Sequence, residues 1–112
     1  MPLTSIIIPT HDRPDLLQRA VESARKAGTN IEIVVVDDGS TDGTSAVCAS
    51  LPDIVYVRLP ERRGVGYARA AGIAASSGKY ISFLDDDDAR LPGSIDRQLA
   101  ILEVAPDSAL IY

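Results

Sequence analysis

Four apolar runs, each followed by a helical pattern, limit this chain of 112 residues to a small set of folds. The runs are rich in Ile and Val, as are strands that are covered on both faces. They span Leu3–Ile8, Ile31–Val36, Ile54–Leu59 and Lys79–Leu84. Strands that alternate with helices predict a parallel sheet with helices on both faces. We therefore predict an α/β fold with a Rossmann-like, mostly parallel sheet, as a single domain over residues 1–112.

The connecting segments predict the helices. The first helix begins at Pro14, with Asp12 as its cap after Pro9 ends the strand, and Gly28 is its C-terminal stop. Small residues in the third helix allow it to pack closely on the sheet. The other helices are predicted over Thr44–Ser50, Val65–Ser76 and Ser94–Val104, and a fifth strand is predicted to start within Ser108–Tyr112.

Composition and charge exclude several classes of protein. The formal net charge of −5 argues against a nucleic-acid partner, which requires a basic face. Cys48 is the only cysteine, so no internal disulfide forms, and we interpret it as a buried structural thiol from a reducing compartment. The sequence shows neither a membrane span nor a signal peptide. We expect a cytoplasmic protein, with a place at the inner face of the membrane left open.

Four consecutive aspartates, Asp85–Asp88, follow the fourth predicted strand. Their carboxylates repel one another unless a metal ion, a basic side chain or a helix N-terminus compensates them. A solvated acidic turn is the alternative. A second acidic strand end, Asp37-Asp38, favours a site, although its Asp-Gly-Ser-Thr-Asp-Gly context is also ordinary turn chemistry. In open parallel sheets, ligands bind beyond the carboxyl ends of the strands at a topological switch point.

Other polar residues near the predicted strand ends keep two interpretations. His11 is the only histidine, which excludes a multi-histidine metal site and leaves packing or ligand contact open. Arg62, Arg63 and Arg69 are solvated charges or partners of a diphosphate. The small residues around Arg69 favour a directed role for it. Gly64-Val65-Gly66 lacks the third small residue of a dinucleotide-binding fingerprint.

Taken together, these stretches closely resemble the inverting family 2 glycosyltransferases, which have the GT-A nucleotide-sugar fold. The resemblance runs through Ser5–Arg13, Val35–Thr44, Gly64 to Gly72 and Gly78–Asp88. The family often has Tyr-Asn where this chain has His11-Asp12. The resemblance implies that a sugar is transferred with inversion from a nucleotide-diphosphate sugar, most often a UDP-sugar, to an acceptor hydroxyl with Mn²⁺ or Mg²⁺ as cofactor.

The resemblance also implies roles for individual residues. The DxD motif falls on Asp85 and Asp87, of which Asp87 ligates the metal while Asp85 approaches the ribose or the metal. Asp86 is counted with the nucleotide-sugar-binding residues, but Asp86 and Asp88 are expected to point away from the metal or to support the loop. The remaining nucleotide-sugar-binding residues are Pro9, His11 and Arg69, which line the pocket, and Asp38, which accepts from the base.

One departure from the family concerns length. Its members continue well beyond this length, and their later half supplies the acceptor site and a carboxylate general base, which an inverting transfer requires. We therefore interpret the chain as the nucleotide-binding half of a GT-A domain, truncated, inactive or weakly active alone, with its catalytic base elsewhere. A bare sheet edge then allows a homodimer. The alternatives are a non-catalytic nucleotide-sugar binding or assembly module and, more remotely, a receiver-like phosphoacceptor aspartate.

Overall fold

The computed structural model describes residues 3–104, with side chains through Ile101, as four strands and four helices in strict alternation. The predicted fifth strand at Ser108–Tyr112 lies outside the described residues. In chain order the elements are β1 (Thr4–Thr10), α1 (Pro14–Arg25), β2 (Ile31–Asp38), α2 (Thr44–Ser50), β3 (Ile54–Leu59), α3 (Val65–Ala75), β4 (Tyr80–Phe83) and α4 (Ser94–Val104).

All strand pairs are parallel, and the strand order is β3-β2-β1-β4. The chain builds outward from β1 to β3 and then returns to place β4 on the other side of β1. The topological switch point therefore lies between the carboxyl ends of β1 and β4, where open α/β sheets bind their ligands.

The sheet is covered on both faces, as the sequence predicts. Because side chains alternate along a strand, Ile6 and Ile8 pack with α1, α2 and α4, while Ile7 packs with α3. All three isoleucines have no exposed surface. Gly72 lets α3 approach closely, since a Cβ built on it would lie 2.4 Å from Cγ2 of Ile7.

The end of β1 differs from the prediction, because the strand continues through Pro9 to Thr10. Pro9 lies beyond the last β1–β4 pair, Ile7 with Phe83, so its missing N–H removes no bond from that ladder. Pairing with β2 continues, and Pro9 lies opposite Val36. This extension carries the β1–α1 loop to the carboxyl end of the sheet.

Two predicted helix signals at α1 are wrong. Arg13, rather than Asp12, occupies the N-cap position, and it makes no capping hydrogen bond through its side chain. The helix ends at Arg25, before Gly28. Gly28 is instead required by close packing, because a Cβ there would lie 2.9 Å from Cγ2 of Ile31. Among residues 3–104, no helix is both long and apolar enough to cross a membrane.

Candidate functional site

A cavity of about 550 Å³ opens at the switch point between β1 and β4. It joins the end of β2 and the loops that follow β1, β3 and β4 with the start of α3, so residues far apart in the sequence converge there. Its lining residues are Pro9, Thr10, His11, Asp12, Arg13, Asp38, Arg62, Gly64, Val65, Ala68, Asp85, Asp86 and Asp87. Of the predicted nucleotide-sugar residues, only Arg69 is missing from this lining.

The four aspartates form a β-turn in which the amide of Asp88 donates to the carbonyl of Asp85 at 3.0 Å. Asp86 points inward and its side chain is only 9% exposed. One of its carboxylate oxygens accepts from the hydroxyl of Thr10 at 2.8 Å, and the other accepts from Nη1 of Arg13 at 3.3 Å. Asp86 therefore ties the turn to the end of β1.

Two arginines supply the positive charge that the aspartate run requires. Nη2 of Arg69 lies 3.3 Å from Oδ1 of Asp85, and Nη1 of Arg13 lies 3.7 Å from Oδ2 of Asp87. The Arg69 guanidinium also lies 5.4 Å from the centre of the Phe83 ring, a cation–π contact. Arg69 thus lies beside the cavity and pairs with Asp85, which lines it. Partial neutralisation of the carboxylates argues against a purely solvated turn.

Carboxylate oxygens of Asp85, Asp87 and Asp88 lie within 4.8 Å of one another. Hard oxygen donors in this number suit Mg²⁺ or Mn²⁺, so the residues present fit the implied cofactor. The bonds of Asp86 to Thr10 and Arg13 hold the loop against β1, while the β-turn brings its own ends together and so gathers Asp88 with Asp85 and Asp87. Which of these aspartates face a metal stays a prediction.

Asp38 holds the β2 and β3–α3 loops together. Its two carboxylate oxygens accept from the backbone amides of Arg63 and Gly64 at 2.7 and 2.9 Å. The residue is only 5% exposed, although it reaches the cavity wall. Since a carboxylate offers about four lone-pair sites, two sites remain for a ligand. The predicted contact with a base ring nitrogen is compatible with this geometry and stays a prediction.

Gly39 allows the two loops to meet. Its φ of +70° lies in the region that favours glycine. A Cβ on this residue would lie 2.5 Å from the backbone nitrogen of Arg62 and 2.6 Å from the backbone carbon of Glu61. The close approach places Arg62 at the cavity. Within the described part of the chain, the Arg62 guanidinium forms no hydrogen bond or ion pair.

His11 and Asp12 join the β1–α1 loop to the β2–α2 loop. Nδ1 of His11 lies 2.6 Å from the carbonyl oxygen of Asp38, to which it donates. The carboxylate of Asp12 accepts from the amide of Thr41 at 2.9 Å, and its own amide donates to the hydroxyl of Ser40 at 2.9 Å. Asp12 therefore fixes the relative position of two loops instead of capping α1.

Asp37 belongs to the framework and lies outside the cavity. It has no exposed surface, and its carboxylate accepts from the amide of Ser40 at 2.9 Å and the hydroxyl of Tyr56 at 2.7 Å. Burial, together with the bond to Asp37, raises the pKa of Tyr56. Burial and the Asp37 charge raise the pKa of the Cys48 thiol to about 11. Cys48 is therefore an unreactive buried thiol, as the sequence indicates.

Arg90 fixes the far end of the aspartate loop. Its guanidinium donates to the hydroxyl of Ser82 and, at 3.0 Å, to the carbonyl of Phe83, while its amide donates to the hydroxyl of Ser23 at 3.0 Å. Burial lowers the pKa of this guanidinium. The loop is thus attached to both β4 and α1.

The sequence pattern alone gives no role to Thr10 or Arg13, although both contact the aspartate turn. The available signal was their position directly after an apolar strand, on the same sheet edge as the aspartates. Of the two arginines in the β3–α3 loop, Arg62 lines the cavity. Arg63 instead pairs with Glu61 at 2.9 Å and lies over the ring of Tyr67.

An open parallel sheet with a polar cavity at its switch point defines the class of doubly wound α/β proteins, which bind their ligands at that point. The chain belongs to glycosyl transferase family 2, because the model of that family matches residues 5–112. This match confirms the predicted family.

Individual proteins agree with the family assignment. The succinoglycan biosynthesis protein ExoO of Rhizobium meliloti is 37% identical over 108 residues, covering 94% of this chain and 31% of its own. An Escherichia coli protein, UDP-Glc:alpha-D-GlcNAc-diphosphoundecaprenol beta-1,3-glucosyltransferase WfaP, is 35% identical over 106 residues, covering 92% of this chain and 42% of its own. The chain thus spans less than half the length of these relatives.

A solved structure confirms the α/β fold of the GT-A type. Staphylococcus aureus TarS, solved in complex with UDP, superposes with a TM-score of 0.81 at 23% identity. The alignment covers 91% of this chain and 32% of the TarS chain.

Proposed function

We propose that this chain is the donor-binding part of a metal-dependent glycosyltransferase. The whole enzyme transfers a sugar from a nucleotide-diphosphate sugar to an acceptor hydroxyl with inversion of the anomeric carbon. Family membership supports sugar transfer in general. The UDP bound to TarS and the UDP-Glc in the name of WfaP support a UDP-sugar as the donor.

The charge of the cavity carries the proposal of metal dependence. Five carboxyl groups line the cavity against two guanidinium groups, those of Arg13 and Arg62. A diphosphate adds further negative charge to this acidic wall, so its binding requires a cation. Asp85 and Asp87, with Asp88 beside them, would hold Mn²⁺ or Mg²⁺, which neutralises the charge of the diphosphate leaving group as a Lewis acid.

The other residues divide the donor between them. Pro9, Val65 and Ala68 contribute apolar surface to the cavity, which suits a base and a ribose. Asp38 and His11 provide polar groups at the same wall, and Arg62 offers donors to phosphate oxygens. The proposed role of Asp86 within the nucleotide-sugar site is to hold the aspartate turn against β1.

Inversion requires a base that removes the proton of the acceptor hydroxyl as that hydroxyl attacks the anomeric carbon and the diphosphate leaves. We assign this base to no residue of the chain and propose that it lies in the later part of the enzyme. The single-domain organisation over residues 1–112 and the cytoplasmic location stay predictions. The alternatives of a non-catalytic module or a phosphoacceptor are not favoured by the family assignment.

Calorimetric titration with UDP, in the presence and absence of Mn²⁺, tests the donor site. We expect Mn²⁺ to strengthen UDP binding and Asp87→Asn to abolish that gain. Asp53→Asn is the matched control, because it removes the same charge at the amino end of β3, away from the cavity. Asparagine also tolerates the φ of 57° at position 53. Equal UDP affinity with and without Mn²⁺ contradicts the proposal, and so does an Asp87→Asn variant that keeps the full gain in UDP affinity from Mn²⁺.

The open sheet edges support a second copy of the chain as partner. Within residues 3–104, β3 and β4 have no further strand on their outer sides. Arg90 occupies the carbonyl of Phe83 on β4, so we propose β3 as the edge that pairs. Light scattering after size-exclusion chromatography tests this, and a monomer at every concentration contradicts it.

A further inference from the structure

Arg13 lies between two carboxylates of the aspartate turn. Its Nη1 atom is 3.3 Å from Oδ1 of Asp86 and 3.7 Å from Oδ2 of Asp87. The Arg13 side chain is 51% exposed and lines the cavity. One guanidinium nitrogen is therefore shared by a buried carboxylate and an exposed one.

The two contacts of Arg13 differ in strength. Asp86 is 9% exposed and is held from its other side by the hydroxyl of Thr10, so the bond from Arg13 meets a fixed acceptor. Asp87 is 57% exposed, and its 3.7 Å separation from Arg13 is longer than a hydrogen bond. Exposed ion pairs at such a distance contribute little. The Asp87 contact is thus the one that yields.

Asp87 is also the residue that the proposed function gives to the divalent cation. Its oxygen lies within 4.8 Å of oxygens from Asp85 and Asp88, on which the cation would bind. A guanidinium and a divalent cation on one carboxylate repel each other, and this repulsion persists at short range even in water. Arg13 and the cation therefore compete for Asp87.

We propose that Arg13 is a positioning residue that exchanges with the divalent cation at Asp87. Without the cation, the guanidinium bridges Asp86 and Asp87 and relieves their mutual repulsion. When the cation binds Asp87, Arg13 keeps its bond to Asp86 and continues to hold the turn against β1. This inference rests on the metal site of the proposed function.

The Mn²⁺ affinity of Arg13→Gln tests the exchange. Glutamine keeps a side-chain donor for Asp86 and removes the competing charge. We expect the dissociation constant for Mn²⁺, measured by calorimetry, to fall about tenfold, which corresponds to about 1.4 kcal/mol. Arg19→Gln, at an exposed position of α1, makes the same change in net charge, and we expect it to alter the constant less than twofold. An unchanged or weaker affinity in Arg13→Gln overturns the exchange.

A second measurement uses the unaltered protein and so does not depend on how the variant folds. During titration with diamagnetic Mg²⁺, we expect the side-chain Nε–Hε NMR signal of Arg13 to shift with the occupancy of the site, while that of Arg19 stays in place. An Arg13 signal that ignores bound Mg²⁺ overturns the inference and leaves the metal site standing. If the protein and Arg13→Gln both bind no cation, the metal part of the proposed function fails and the exchange fails with it.

Discussion

Replacing Gly39 with alanine tests how much the contact between the β2–α2 and β3–α3 loops stabilises the protein at the wall of the cavity. The added Cβ would lie 2.5 Å from the backbone nitrogen of Arg62, whereas ordinary contacts begin near 3.4 Å. The β3–α3 loop must therefore retreat by about 0.9 Å, the difference between these two distances. The atoms it meets belong to the backbone, so no side-chain rotation relieves the clash.

The size of the effect follows from two contributions. A non-glycine residue at a φ of +70° costs about 1–2 kcal/mol. Retreat of the loop also stretches the two bonds from the amides of Arg63 and Gly64 to Asp38, and bonds to a charged group contribute about 1.5–3 kcal/mol each. Loss of one of them brings the total to about 2.5–5 kcal/mol.

Urea unfolding followed by circular dichroism measures this loss. Gly43→Ala is the matched control in the same acidic loop, because Gly43 has a φ of −78° and a Cβ there meets no atom within 4 Å. We expect that control to stay within about 0.5 kcal/mol of the unaltered protein. A Gly39→Ala variant as stable as the control would refute the loop contact.

Two further substitutions test the packing and the electrostatics of the framework. Gly72→Ala places a Cβ 2.4 Å from Cγ2 of Ile7, so we expect the free energy of unfolding in urea to fall by about 1–3 kcal/mol. A Cβ on Gly66 of the same helix meets no atom within 4 Å, so we expect Gly66→Ala to raise the free energy of unfolding by about 0.5–1 kcal/mol. Equal effects of the two would contradict the packing of α3. Burial works to raise the pKa of Glu32, but hydrogen bonds from Ser5 and Ser77 outweigh it and hold the pKa below the ordinary 4.5. Since the pKa of Glu32 is lower in the folded state, the stability that Glu32 adds is present above pH 4.5 and is lost as the pH falls through the folded pKa. The protein should therefore be more stable than Glu32→Gln at neutral pH, and this difference in free energy of unfolding should shrink on acidification. A difference that does not change with pH would contradict the role of these hydrogen bonds.

The sequence was sufficient to predict the α/β fold because hydrophobic periodicity reports which faces of each element are buried. The Ile6–Ile8 run lies in a central strand with no exposed surface, as its apolar character indicates. Helix ends were less predictable. Gly28 resembles a helix stop, but its absent side chain makes room for Ile31, a contact that only the tertiary structure shows.

The location of the candidate site could also be predicted, because the carboxyl ends of parallel strands meet at one edge. The contacts that each residue of the site makes could not be predicted. Whether Asp86 faces a ligand or Thr10 depends on the β-turn, and the pairing of Arg13 with that turn joins positions 73 residues apart. Asp38 resembles a turn residue or a ligand residue in the sequence, and in the structure it bonds loop amides at the cavity wall.

Diffraction from crystals grown with UDP and Mn²⁺, measured at the manganese absorption edge, tests whether the aspartate turn holds a metal ion beside the donor. We expect an anomalous peak bonded to carboxylates of Asp85 and Asp87, with the diphosphate in the cavity between β1 and β4. We also expect Arg13 to stay on Asp86 and to have left Asp87. UDP bound elsewhere, or UDP in the cavity with no manganese at the aspartate turn, would contradict the proposed donor site.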